Sequence, residues 1–108
     1  MVIINACGAP LTPLIAMTAV INAQREQKLP TEARANEAQR VMWRNAAISA
    51  NACVFDPEEF PDLCEKQTLA GLPLLLDASL PLSWIELRDN AGNTVARIEN
   101  LAIPNDFH

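Results

Sequence analysis

The sequence predicts an α+β domain, with helices in its first two thirds and a β-hairpin near its C-terminus. Between residues 13 and 53 apolar residues recur at helical spacing, whereas from residue 83 onward they alternate with polar ones as in strands. A chain of 108 residues, 50% of them hydrophobic, has the size of one domain. We expect a single domain over residues 1–108, with two main helices and one short helix packed on a small antiparallel sheet of two to four strands.

The first predicted elements are a short strand and a long helix. The β-branched run Met1–Asn5 favours a strand. Thr12 followed by Pro13 predicts a helix start, because the threonine hydroxyl can accept an unpaired amide and proline at the first position loses no hydrogen bond. This helix should run from Pro13 to about Lys28. Its predicted core face comprises Leu14, Met17 or Thr18, and Ile21, widened by Ile15 and Val20.

A second helix is predicted from Glu32 to about Cys53, with Thr31 as its cap. Two apolar stripes run along it. The main stripe comprises Ala35, Ala38, Val41, Met42, Ile48 and Ala52, and the second comprises Trp43, Ala47, Ala50 and Val54. The pattern leaves open which stripe faces the core, so this helix is either packed on two sides or keeps one face for a partner.

A short helix is predicted over Pro61–Ala70, because Gly71 suits the left-handed residue after a helix and Pro73 prevents continuation. The following run, Leu74–Leu76, is interpreted as a buried strand or an extended packed segment. Residues 104–108 have no periodicity and are expected to form a flexible tail.

The clearest predicted strands are Ser83–Arg88 and Thr94–Asn100, joined by residues that tolerate a tight turn. With residues 90–93 as the loop, the cross-strand pairs are Ile85 with Ile98, Leu87 with Ala96, and Glu86 with Arg97. These pairs assign one face of the hairpin to the core. The opposite face should carry Trp84, Glu86, Arg88, Val95 and Arg97.

Charge and composition argue against several classes of partner. The net charge is -5 and the cations form no basic run, which disfavours nucleic acid and anionic membranes. The apolar run Leu14–Ile21 is too short to span a bilayer, and the first residues lack the positive region of a signal peptide. Three cysteines, an odd number, indicate reduced, buried thiols at Cys7, Cys53 and Cys64. We expect a cytoplasmic protein.

The sequence predicts no catalytic residue, cofactor or metal site. The only histidine is His108, in the predicted tail, so no nucleophile with a histidine base is expected. One local group of carboxylates comprises Asp56, Glu58, Glu59 and Asp62. Capping of helix starts is the main interpretation of this group. The alternative is a small metal- or carboxylate-dependent enzyme that uses the group together with Arg44.

The predicted function is therefore a non-catalytic protein-interaction module: an adaptor, an assembly factor or an inhibitor of another protein, of bacterial or viral origin. Tryptophan is common at interface hot spots, although a tryptophan beside an arginine could equally form a local cation–π contact. The predicted partner-binding residues are Trp84, Glu86, Arg88, Arg97 and Trp43. The partner is expected to be another protein or a second copy in a homodimer. The alternative is a structural subunit of a homomeric assembly.

Overall fold

The computed structural model describes residues 1–49 and 68–103 of the chain. The elements in this part are β1 (Val2–Asn5), α1 (Pro13–Arg25), β2 (Glu32–Ala35), α2 (Glu37–Ser49), β3 (Thr68–Leu69), β4 (Leu72–Leu76), β5 (Ile85–Arg88) and β6 (Thr94–Glu99). The α+β class is confirmed. Several predicted features lie outside the described residues, namely the helix segment beyond residue 49, the acidic group Asp56–Asp62, Cys53, Cys64, the start of the short helix at Pro61, and the tail 104–108.

The strands form a six-stranded sheet in the order β1-β6-β5-β2-β4-β3. The sheet is mixed, because β1 is parallel to β6 and β2 is parallel to β4, whereas the other neighbours are antiparallel. The prediction of an antiparallel sheet of two to four strands was therefore wrong. α1 carries the chain from β1 across to β2, and β5 and β6 later fill the positions between these two strands. β1 and β6, like β2 and β4, are joined by a long stretch of chain, as parallel neighbours require.

The predicted start of the second helix was also wrong, because Glu32–Ala35 forms β2 and α2 begins at Glu37. The cap is Asn36, whose Oδ1 accepts a hydrogen bond from the backbone N–H of Ala38 at 3.3 Å. Thr31, the predicted cap, instead donates its backbone N–H to the carbonyl of Arg88 at 2.8 Å. Pairing with β5 thus replaces the first helical turn that local propensity favours.

Helix α1 begins as predicted, since Thr12 Oγ1 accepts from the backbone N–H of Ile15 at 3.2 Å and Pro13 occupies the first turn. Its core face matches the prediction at Val20, which is buried, and at Ile15, which packs partly buried against the core, but differs from it at the remaining positions. The buried residues are Ala16, Ala19, Val20 and Ala23, whereas the predicted face is exposed at Leu14 (77%), Met17 (42%) and Ile21 (42%). A stripe of alanines lets the helix axis lie close to the sheet, which turns the larger side chains outward.

The predicted helix end at Ala70 and Gly71 is a hairpin turn between β3 and β4. Both residues have positive φ, 52° and 81°, as a two-residue type I′ turn requires. In the apolar run that follows, Leu74 is buried but Leu75 and Leu76 are about half exposed. The strand interpretation of this run is therefore confirmed by β4, whereas its complete burial and the helix end before it were wrong.

The predicted register of the C-terminal hairpin is confirmed: Ile85 pairs with Ile98, Leu87 with Ala96, and Glu86 with Arg97. One assignment was wrong, because Val95 belongs to the core instead of the opposite face. A register shift beside Leu87 and Arg88 inserts Val95 as an extra residue in β6. The alternation of core-facing and opposite-facing residues along β6 is therefore interrupted at this bulge.

The core lies between the sheet and the helices. Its buried cluster comprises Ala6, Leu11, Ala16, Ala19, Val20, Ala23, Ala33, Ala35, Leu69, Leu74, Ile85, Leu87, Val95, Ala96, Ile98 and Leu101. Trp43 of α2 packs against this same cluster, so α1 and α2 lie on one side of the sheet. In the described part of the chain, the opposite side of the sheet carries no helix, and we call it the open face.

Candidate functional site

The open face is built from alternate residues of neighbouring strands. Strand register places Ile3, Arg97, Glu86, Arg34 and Leu75 side by side in one row across the sheet. Oppositely charged residues occupy the middle of the row, and an exposed apolar residue stands at each end. The open face therefore combines a charged centre with apolar margins.

Glu86 lies at the centre of an ion-pair network on this face. Its Oε1 lies 3.5 Å from Nε of Arg97, and its Oε2 lies 3.1 Å from Nη2 of Arg88. The hydroxyl of Thr94 also donates to Oε2, at 3.3 Å. Arg97 reaches a second carboxylate, Oε2 of Glu99, at 3.3 Å. Glu86 is only 6% exposed, so cationic partners offset the cost of burying its charge.

The network extends across β2 to Asp77, at the end of β4. Asp77 Oδ2 lies 3.6 Å from Nη2 of Arg88 and 3.8 Å from Nη1 of Arg34, which also donates its Nε to Glu32 at 2.8 Å. The hydroxyl and then the backbone N–H of Ser79 donate to Asp77 and lower the pKa of its carboxyl. Burial raises this pKa, while Arg88 and Arg34 lower it further.

The predicted hairpin residues thus meet on the open face. Trp84, just before β5, is partly buried, and the guanidinium carbon of Arg97 lies 4.3 Å from the centroid of its ring. This is the local cation–π contact that the sequence offered as the alternative to a binding anchor. The hairpin residues Trp84, Glu86, Arg88 and Arg97 accordingly contact one another or their neighbours within the chain.

Trp43 is far from this group, because it lies on the helical side of the sheet. It packs against the core cluster, and its indole N–H donates to the carbonyl of Thr68 at 2.9 Å. One turn earlier on α2, the fully buried Gln39 donates its side-chain amide to the carbonyls of Leu82 and Ala102, both at 2.8 Å. These contacts hold α2 to β3 and to the segments that flank the hairpin.

The outer face of α1, defined here as Leu14, Met17 and Ile21, is the surface that the sequence interpretation assigned to the core. These residues stand at i, i+3 and i+7, and all are at least 42% exposed. Within α1 no charged residue precedes Arg25. The signal that could have revealed this face is the second stripe, Ala16, Ala19 and Ala23, which has the same helical spacing and smaller side chains.

Other candidate chemistry is sparse in the described part of the chain. A shallow, open depression of about 500 Å³ adjoins the ends of β1 and β6, with Cys7, Asn5 and Asn100 in its lining. Cys7 is a free thiol but is exposed, so the prediction of a buried thiol was wrong at this position. The Asn5 side chain accepts hydrogen bonds from the Cys7 backbone N–H and from the Asn100 amide. Among residues 1–49 and 68–103, no group of three or more His, Cys, Asp or Glu is arranged to hold a metal ion. No described helix has the length and apolar character needed to cross a membrane.

Comparisons with known proteins give no family for this chain. No family model, curated protein or solved structure matches it. The sheet order, the open face and the outer face of α1 are therefore the observations on which a function must be argued.

Proposed function

We propose that the protein is a non-catalytic protein-interaction module that binds an apolar surface of another protein through the outer face of α1. The observation that carries this proposal is the inverted packing of α1. Three large apolar side chains face solvent while alanines occupy the core side of the same helix. Contiguous exposed apolar groups of this kind are typical of interaction sites.

The chemistry of the outer face indicates the kind of partner. Apolar residues at i, i+3 and i+7 form a ridge that packs against another helix or into an apolar groove. Because α1 has no charge before Arg25, the ridge offers an ion pair only at its C-terminal end. An uncharged, apolar partner surface about two helical turns long fits this ridge best.

The hairpin residues predicted to bind a partner support a second location on the same molecule. The open face has apolar margins at Ile3 (55% exposed) and Leu75 (41% exposed), which a partner could cover together with the charged centre. However, Glu86, Arg88 and Arg97 already compensate one another's charges. A partner would have to compete with those contacts, so we place the interaction on α1 first.

The test is affinity capture from an extract of the source, comparing the wild-type chain with a Met17→Lys, Ile21→Lys double variant. A specific partner should be lost from the double variant, because two ammonium groups would face an apolar surface. The matched control is Leu29→Lys, which adds a charge at a residue that is 66% exposed and lies outside α1. The control should retain the partner.

A third variant, Trp84→Leu, separates the two candidate surfaces. A partner retained by Trp84→Leu and lost from the α1 double variant places binding on α1, whereas the reverse result places it on the open face. Recovery of the same partner by every variant would contradict both locations. Circular dichroism should show unchanged secondary structure, because the α1 substitutions replace exposed side chains with another good helix former.

A further inference from the structure

We propose that the chain forms a homodimer in which β1 pairs with β1 of a second copy, antiparallel, across a two-fold axis at Ile3. This interface is separate from the outer face of α1 and does not depend on it. β1 lies at one edge of the sheet. Among the described residues, only β6 pairs with it.

The backbone of β1 has the polarity that a two-fold pairing requires. The N–H of Ala6 donates to the carbonyl of Glu99 at 2.8 Å, and Ile4 lies opposite Ile98, so even-numbered residues bond toward β6. Backbone groups alternate along a strand, so the N–H and C=O of Ile3 point outward. An antiparallel pair centred on Ile3 then forms two identical N–H to C=O hydrogen bonds between the two copies.

The side chains of β1 are complementary to themselves. The two-fold axis brings Ile3 beside its own copy on the open face and Val2 beside Ile4 on the core face. Both contacts are apolar, and Ile3 is 55% exposed in the single chain. The nearest cation on the row is Arg97, and it lies about 14 Å from its counterpart by strand spacing, beyond the ~8 Å screening length.

β1 also lacks the features that protect an edge strand from pairing. Val2–Asn5 contains no proline, no charged residue and no bulge. The opposite edge, β3, has only two residues and so offers little backbone to a partner. β1 is therefore the edge at which a second copy can extend the sheet.

The helices add contact area to this arrangement. α1 packs over β1 and β6. In the dimer the two α1 helices would lie about two strand spacings apart, ~9.6 Å, which falls within the 8–10 Å range of packed helices. Strand pairing and helix packing thus act together, and a four-residue strand does not have to hold the dimer alone.

The first test measures molar mass by sedimentation equilibrium for the wild-type chain and for Ile3→Pro. Proline removes an N–H that the β1–β6 ladder does not use, so the monomer should keep its fold while losing the intermolecular bonds. We expect the mass of two 11.8 kDa chains for the wild type and of one chain for the variant. A monomeric wild type, or a Pro variant that dimerises equally well, would overturn the proposal.

A charge-pair experiment tests the position of the axis without proline. Ile3→Lys and Ile3→Glu should each weaken self-association at least tenfold, because like charges would meet at the axis. Mixing the two variants should restore a dimer that contains one chain of each, resolved by native mass spectrometry. Absence of this mixed dimer, from variants that keep the wild-type circular dichroism, would place the axis elsewhere and overturn the proposal.

Failure of the dimer and failure of the α1 interaction are distinguishable. The Met17→Lys, Ile21→Lys variant should keep the dimeric mass, since both residues lie outside β1 and on the solvent side of α1, away from the sheet and from the flank by which α1 would meet its copy. Conversely, Ile3→Pro should still capture the partner that binds the outer face of α1.

Discussion

Glu86 and Arg97 face each other across the β5–β6 ladder, with Oε1 and Nε 3.5 Å apart. The same carboxylate also lies 3.1 Å from Arg88, so one nearly buried anion balances two partly buried cations. Such an anion contributes most to the stability of the fold when its removal would leave the neighbouring cations without a counter-charge.

We expect Glu86→Gln to lower the free energy of unfolding by about 1–3 kcal/mol. Glutamine keeps the shape of the side chain but removes the negative charge that pairs with the two guanidinium groups. The measurement is urea unfolding at neutral pH. The matched control is Glu99→Gln, at the more exposed end of the network, which should cost less than about 1 kcal/mol. Equal losses in the two variants would show that the central position of Glu86 has no special effect.

Gln39 provides a second test of what holds α2 in place. Its fully buried amide donates to the carbonyls of Leu82 and Ala102. Gln39→Leu should reduce the free energy of unfolding by about 1–3 kcal/mol, because two partly buried carbonyls would lose their donors. Gln24→Leu makes the same change at an exposed position of α1 and should be nearly neutral. Similar denaturation midpoints for both variants would contradict the proposed anchoring role.

The parts of the fold that the sequence predicted correctly have strong local signals. The C-terminal hairpin was predicted to its register because alternating apolar residues flank a loop rich in turn-forming types. β2 was missed because Glu32–Ala35 contains alanine and charged residues, which favour a helix locally, while its pairing partners β4 and β5 lie about 40 to 55 residues later. Such distant pairing overrides local propensity and leaves little trace in the sequence.

The candidate sites likewise combine residues whose position follows from a local sequence pattern with residues whose position depends on distant pairing. The hairpin half of the ion-pair network, Glu86 and Arg97, follows from the predicted register. Arg34 and Asp77 join it from segments whose position depends on the missed strand and on the turn after β4. The side of α1 that faces the core depends on how closely the helix approaches the sheet, which is a property of the packed structure.

The lowered pKa of Asp77 predicts a specific pH dependence. A carboxyl whose pKa is lower in the folded state than its ordinary value of 3.8 stabilises the fold above that value, and the contribution is lost as the pH falls through the folded-state pKa. The stability difference between wild type and Asp77→Asn should therefore be largest near neutral pH and shrink below about pH 4.

Ser79→Ala is the companion variant for this measurement, because Ser79 is the largest source of the lowered pKa. In that background the pKa of Asp77 should move back toward 3.8, so the Asp77→Asn substitution should change the pH dependence less. The measurement is the free energy of unfolding by urea across the acidic range. A wild-type to Asp77→Asn difference that stays constant with pH would contradict the assigned hydrogen bonds.

The inverted packing of α1 predicts the reverse of what hydrophobicity alone suggests. Ala19 is fully buried and Leu14 is 77% exposed. Ala19→Leu should therefore cost about 1–3 kcal/mol in the free energy of unfolding, because the added atoms push α1 away from the sheet. Leu14→Ala should stay within about 0.5 kcal/mol of wild type, since it removes side-chain atoms that contact mainly water. If Leu14→Ala instead proved the more damaging substitution, Leu14 would face the core, and the outer face of α1 could not be an interaction surface.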